Sequence, residues 1–347
     1  MNFLVRIKSL FCFSIMFLVS SSFAVAQGME VDVSVQCVAG GKSTNKHIVI
    51  EDLGDIDEKA RGHRFYGIYN GESSDVVNYV AEHLHENIVK DRSFSSSIKR
   101  ALESAFLKTD NDLWNRFSED ANYNGSTAVV VIITPAGKIF IANLGDSGSM
   151  FIKKPSMLET KKHKFLFKVD QAEELMESRE YQRIIAAGGN VSWADGAWRV
   201  GGELVMSRAF GYFSLKPIVP IINSFVDRRY WVTPRPSIYE AHFDVTDDEV
   251  LILGNNTFWD GLGWDSEVFD LKKYIEELRG RWDSSAESIC YYLTLRSRRS
   301  YEGMLREEDT SFDDPYIDRC LLLPLFQKNI DDITAIVVIP QRFAMAE

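Results

Sequence analysis

The stretch that decides the fold is Arg64–Asn78, RFYGIYNGESSDVVN. Phe65–Tyr69 is an apolar run bounded by turn residues and reads as a buried strand. Asn70-Gly71-Glu72 carries turn chemistry. Ser73 or Ser74 then stands where a helix is capped. Val77, Val80, Ala81, Leu84 and Ile88 give that helix one apolar face. A strand that passes into a helix across so short a polar turn exposes the turn residues at the mouth of a site. Many enzymes place a carboxylate there; this chain places the amide of Asn70.

The same pattern extends in both directions. Upstream, Val31–Val38 alternates as a strand, Gly40-Gly41-Lys42 turns it, and His47–Ile50 forms a second strand ending at Glu51-Asp52. Downstream, Ile98, Leu102, Ala105 and Phe106 mark another helix. Ala128–Ile133 and Lys138–Asn143 form a hairpin around Pro135-Ala136-Gly137, and Gly145-Asp146-Ser147 is the next turn. Asp170 and Glu173 make a capping box for a helix reaching Gly188-Gly189. Further strands are expected at Ser237–Phe243, Val250–Leu253 and Ile333–Ile339, with helices near Asp265–Leu278 and Ser284–Leu295. Hairpins outnumber β-α-β alternations. The expected class is therefore α+β: two antiparallel β-sheets packed as a sandwich with helices on both outer faces.

Length and composition bound the function. Of the 347 residues, 1–26 read as a signal peptide: Arg6 and Lys8 precede the apolar Phe11–Val19, and Ala24-Val25-Ala26 is a small-residue cleavage pattern. This predicts the secretory pathway, or a cytoplasmic protein if translation starts at Met29. A membrane contact is expected only if the leader stays uncleaved. The rest reads as one domain over 33–340. A net charge of -11 argues against nucleic acid as the main partner. The basic runs Lys161–Lys164 and Arg296–Arg299 read as solvated faces. Cys37, Cys290 and Cys320 remain after Cys12 in the leader, too few for a disulfide framework.

Acids stand at strand ends and turns: Glu51, Asp52, Asp146, Asp260 and Asp331. Carboxylates converging from separate strands can hold Mg²⁺ or Mn²⁺. A close pair of such ions can activate water against a phosphate.

From Val33 to Pro340 the chain resembles the metal-dependent type-2C Ser/Thr protein phosphatases, plant-like members above all. Ile50-Glu51-Asp52 is similar to the family's Met-Glu-Asp, and Tyr66–Glu72 to its Phe-Gly-Val-Phe-Asp-Gly-His. Gly125–Ala128, Ala142–Ser147, Ser207–Gly211, Asn256–Asp260 and Asp331–Thr334 follow in family order. The departures fall on the chemistry. The resemblance implies a metal-bridging Asp where Asn70 stands, a second metal Asp at Asn256, a phosphate-clamping Arg at His47 and a His at Glu72. Gly148 and Tyr212 replace a further Arg and Asp. Glu51, Gly71 through its carbonyl, Asp146 and Asp331 are what the resemblance leaves as a weak metal set. An amide is neutral and offers one ligating oxygen. The expectation is a pseudophosphatase with no Mg²⁺ or Mn²⁺ at full occupancy that binds a protein or phosphoprotein partner. The alternative is a weakly active Mg²⁺/Mn²⁺ phosphatase.

Overall fold

The computed structural model describes residues 29–38, 44–117, 119–153, 156–159, 172–216, 230–244, 249–263, 271–281, 285–301 and 332–341. The leader, the Lys161–Lys164 run, Asp170, Cys320 and Asp331 lie outside the described residues. The strands are β1 (Glu30–Val38), β2 (Thr44–Ile50), β3 (Arg64–Gly71), β4 (Gly125–Ile133), β5 (Lys138–Leu144), β6 (Gly148–Lys153), β7 (Ser156–Glu159), β8 (Val191–Ala194), β9 (Ala197–Val200), β10 (Phe210–Gly211), β11 (Ser237–His242), β12 (Val250–Gly254) and β13 (Ile333–Gln341). The helices are α1 (Ser74–Lys90), α2 (Ile98–Phe117), α3 (Ala172–Glu177), α4 (Arg179–Ala186), α5 (Asn256–Leu262), α6 (Leu271–Arg281) and α7 (Ala286–Tyr301).

The architecture is mixed α/β, built on three sheets rather than two. One sheet runs β1-β13-β12-β6-β7, a second β11-β5-β4-β3-β2 with β10 added to β4, and a third is the β8-β9 ribbon. The expectation of two sheets alone is corrected by that ribbon. Val191–Ala194 escaped notice as a strand because four residues are at the lower limit over which alternation can be read. Asp195 and Gly196 both take positive φ at its turn, as a tight hairpin demands.

Alternation along β3 sorts the core. Phe65 and Tyr69 pack with Val76, Val77, Val80 and Leu84 of α1 and with Leu102 and Phe106 of α2. Tyr66 and Ile68 point the other way and share a core with Leu251 and Leu253 of β12 and Ile336 and Val338 of β13. That second cluster joins the two large sheets. Ile252, Ile275, Ile289 and Leu293 fill a third cluster beneath α5, α6 and α7. At roughly 1.5–3 kcal/mol per buried large apolar side chain, these faces fix which residues of each strand look into the space between the sheets.

The helix expected to run to Gly188 is two helices. Ser178 breaks it, and its Oγ accepts from the Tyr181 N–H to cap α4. Cys290 is a buried free thiol. No helix among the described residues is long and apolar enough to cross a membrane.

Candidate functional site

The site is built at the end of β3. Asn70 shares the face of Tyr66 and Ile68 and so looks toward the first sheet. Asn256 opens α5, directly after β12 of that sheet, and Asn255 caps the helix by accepting from the Phe258 N–H. The two elements meet there: Asn70 Nδ2 donates to Asn256 Oδ1 at 2.8 Å. The residues that stand where the resemblance expects two metal carboxylates are hydrogen-bonded to one another.

Two more asparagines extend this contact. Asn45 of β2 lies directly opposite Asn70 in the strand register. Its Nδ2 donates to the Asp332 carbonyl at 2.8 Å, and Asn255 Nδ2 donates to the same oxygen at 2.5 Å. Asn255 Oδ1 also accepts from the Thr334 N–H at 3.1 Å. Four amides thus tie β2 and β3 of one sheet to β12 and β13 of the other. Two acceptors stay open: the buried Oδ1 atoms of Asn45 and Asn70 have no hydrogen-bond partner among the described residues. Each such atom costs about 1–3 kcal/mol in desolvation. Asn45 was not singled out from the sequence; the signal was a polar residue two before His47 on the same strand face.

Glu51 is elsewhere, and its place among the expected metal ligands is corrected. The β2–β3 register ends at Ile50 opposite Phe65, so Glu51 comes beside Arg64, and its carboxylate lies 3.4 Å from Arg64 Nε. Arg64 and Asn70 stand six residue steps apart along β3, about 20 Å of strand. Removal from water raises the Glu51 carboxyl above its ordinary value, and the Arg64 charge works against that shift. Arg64 is itself 3% exposed. The motif Ile50-Glu51-Asp52 is too short to fix its own position along a strand. Asp52 does local work, accepting from the Gly54 and Gly62 N–H groups at 2.7 Å. The β2 residues facing the same way as Asn70, and nearest to it, are Asn45 and His47. Burial, with the charge of Lys46 adding to it, lowers the His47 pKa from 6.5, so this imidazole is neutral at pH 7.

The remaining expected residues gather around Tyr212. Gly71 packs so closely that a Cβ there would meet the Gly125 carbonyl oxygen at 2.1 Å, and a Cβ on Gly125 would meet the Tyr212 ring at 2.3 Å. Tyr212 takes a left-handed backbone, φ 50°. Beneath it, buried Asp110 accepts from the Gly211 N–H at 2.9 Å and pairs with buried Lys216 at 2.7 Å, which fixes the loop. Burial first, then the nearby charges of Glu72 and Asp146, raise the Tyr212 phenol above its ordinary value. Glu72 is exposed, and Asp146 is buried on the turn between β5 and β6. Asp260, on α5, is exposed.

Among the described residues, the donors that meet at this point are amides and not carboxylates. No group of three or more His, Cys, Asp or Glu side chains among the described residues is arranged to hold a metal. The atoms at the heart of the site are neutral amides already bonded to each other. Two dications at close range need bridging negative charge that amides do not supply.

Comparison with known proteins agrees with the architecture. The sequence model of the family described as protein phosphatase 2C matches residues 31–290. "Probable protein phosphatase 2C 71" of Arabidopsis thaliana is 31% identical over 262 residues, covering 74% of this chain and 52% of the relative. "Probable protein phosphatase 2C 52" of rice, Oryza sativa, is 32% identical over 221 residues, covering 62% of this chain and 40% of the relative. The chain thus spans about half the length of these curated relatives. A solved phosphatase from a pathogenic strain of Toxoplasma gondii superposes with a TM-score of 0.63 at 16% identity, over 90% of this chain and 94% of that one. A second Toxoplasma gondii structure, a serine-threonine phosphatase 2C, gives 0.60 at 17% identity, over 94% and 99%. At such identities the likeness is one of fold. From the family match, taken with the strand order and the site at the end of β3, the chain belongs to the protein phosphatase 2C family.

Proposed function

We propose that this chain is a pseudophosphatase: a protein phosphatase 2C domain that has lost two-metal hydrolysis and works by binding a protein partner. One observation carries the reading, the hydrogen bond between Asn70 and Asn256. Two carboxylates so close would repel unless a dication or a proton lay between them; here one amide donates to the other. His47 is a neutral imidazole and lacks the charged two-pronged fork with which arginine grips a phosphate. Nucleophile generation and phosphate binding are weakened together. Asp146 and Asp331 are residual acids for Mg²⁺ or Mn²⁺, at low affinity. The domain is taken to span 33–340 after a cleaved leader, in the secretory pathway.

The test is calorimetric titration of the purified protein with Mn²⁺ alongside turnover of a phosphoserine peptide. The expected result is no saturable two-ion binding and no turnover above the rate without protein. Manganese-dependent hydrolysis by the unaltered chain would overturn the reading and favour a weak enzyme. N-terminal sequencing of the native protein tests the leader; a start at Gln27 is expected.

A further inference from the structure

Three Asn-X-Ser/Thr triplets stand in the sequence: Asn124-Gly125-Ser126, Asn190-Val191-Ser192 and Asn255-Asn256-Thr257. Each is the acceptor pattern for an N-linked glycan in an exported chain. The fold treats them differently. Asn255 is 0% exposed, and its whole amide is engaged: Nδ2 donates to the Asp332 carbonyl, and Oδ1 accepts from the Phe258 and Thr334 N–H groups. Asn124 is half-buried, and its Nδ2 donates to the carbonyl and the carboxylate of Asp120 at 3.1 and 2.9 Å. Asn190 is exposed, and its side chain forms no hydrogen bond among the described residues. Its backbone is nevertheless held. The Gly188 and Gly189 N–H groups close α4 with bonds of 2.9 Å to the Ile185 and Ile184 carbonyls, and the Asn190 carbonyl accepts from the Gly201 N–H at 3.0 Å. Positive φ at Gly188 turns the chain out of the helix just before Asn190. The result is a free amide in solvent on a fixed backbone, with the triplet's hydroxyl on half-buried Ser192 of β8.

We propose that Asn190 is a site of N-linked glycosylation and that the folded protein carries no glycan at Asn255. The donor is an oligosaccharide on a lipid diphosphate. A bond forms between Asn190 Nδ2 and the anomeric carbon of the first sugar. The bond from that carbon to the diphosphate oxygen breaks, the lipid diphosphate leaves with the electron pair, and Nδ2 gives up one proton. Such transfer acts on the chain as it is exported, before the core closes, so the fold works as a filter. A chain modified at Asn255 has no room for the sugar and cannot close the amide cluster. A sugar on Asn190 projects into solvent and breaks no hydrogen bond. The inference goes beyond partner binding and rests on the reading of residues 1–26 as a cleaved leader.

The native full chain is treated with an N-glycan amidase, which converts a modified Asn to Asp, and its peptides are weighed alongside N-terminal sequencing. The expected result is a start at Gln27, conversion at Asn190 and an unconverted Asn255. A start at Gln27 with unmodified Asn190 overturns this inference alone, and so does a glycan at Asn255 in the folded protein. An uncut leader with no glycan sinks the export reading and this inference together. With the chain expressed behind its own leader in a glycosylating host cell, Asn190→Gln is expected to be secreted, folded by circular dichroism, and lighter by one glycan. Secreted wild type and Asn190→Gln of equal mobility would refute the assignment.

Discussion

Asn70→Asp with Asn256→Asp turns the central hydrogen bond into a meeting of two carboxylates. The amide contact is 2.8 Å. Two full charges about 3 Å apart repel by roughly 5 kcal/mol at an effective dielectric near 20. Protonating one acid relieves this. At pH 7 that costs about 1.4 kcal/mol for each pH unit above an ordinary Asp pKa, or about 4 kcal/mol. The double variant should therefore lose about 4 kcal/mol at neutral pH in EDTA. Each single variant keeps a bond, because the remaining amide can rotate and donate its N–H₂ to the new carboxylate, so each should lose less than about 1 kcal/mol. The coupling energy from the cycle is then about 3 kcal/mol. The sign with pH follows from linkage. A carboxyl pKa raised in the folded state means that the folded protein holds more protons, so the penalty is full above the raised value and fades as pH falls toward 4. Urea unfolding of the four proteins near pH 7 and near pH 5 measures this. Additive losses at both pH values would mean that Asn70 and Asn256 do not share a contact.

Three further outcomes are expected. Glu51→Gln removes the partner of a buried guanidinium and should cost about 3 kcal/mol by urea unfolding, with no change in Mn²⁺ titration, since Glu51 stands far from Asn70. Adding His47→Glu to the double aspartate variant should restore Mn²⁺ binding measurably better by calorimetry than adding His47→Arg; equal affinities would argue against His47 as the β2 residue that faces the site. Lys216→Met leaves Asp110 buried without its cation, and is expected to cost about 3–5 kcal/mol in urea unfolding while freeing the Phe210–Tyr212 loop to proteolysis.

The fold was largely legible because periodicity survives local error. Phe65–Tyr69, Ala128–Ile133 and Val250–Leu253 read as buried strands, and all three are. The apolar positions chosen for α1 are all buried. The site was legible where a motif carries its own geometry, as at Asn70-Gly71, whose glycine is held against Gly125. It failed at Glu51, because a strand repeats every two residues and a three-residue motif slides along it without changing face. Only pairing fixes the register, and pairing lies in residues distant in sequence. Arg64 and Asn45 were missed for the same reason: neither stands out until its opposite number across the sheet is known.

Asn70 is followed by Gly71, the combination in which an asparagine most easily loses ammonia, because no Cβ hinders the next backbone nitrogen from reaching the side-chain carbonyl. That attack needs a slack backbone. Here the dipeptide is locked in a paired strand, with the amide turned away into its bond with Asn256. The sheet thus acts as a preservative. A chain that lingers unfolded would age at this position into isoaspartate with a smaller share of the aspartate that the resemblance implies, and a folded one would keep its amide.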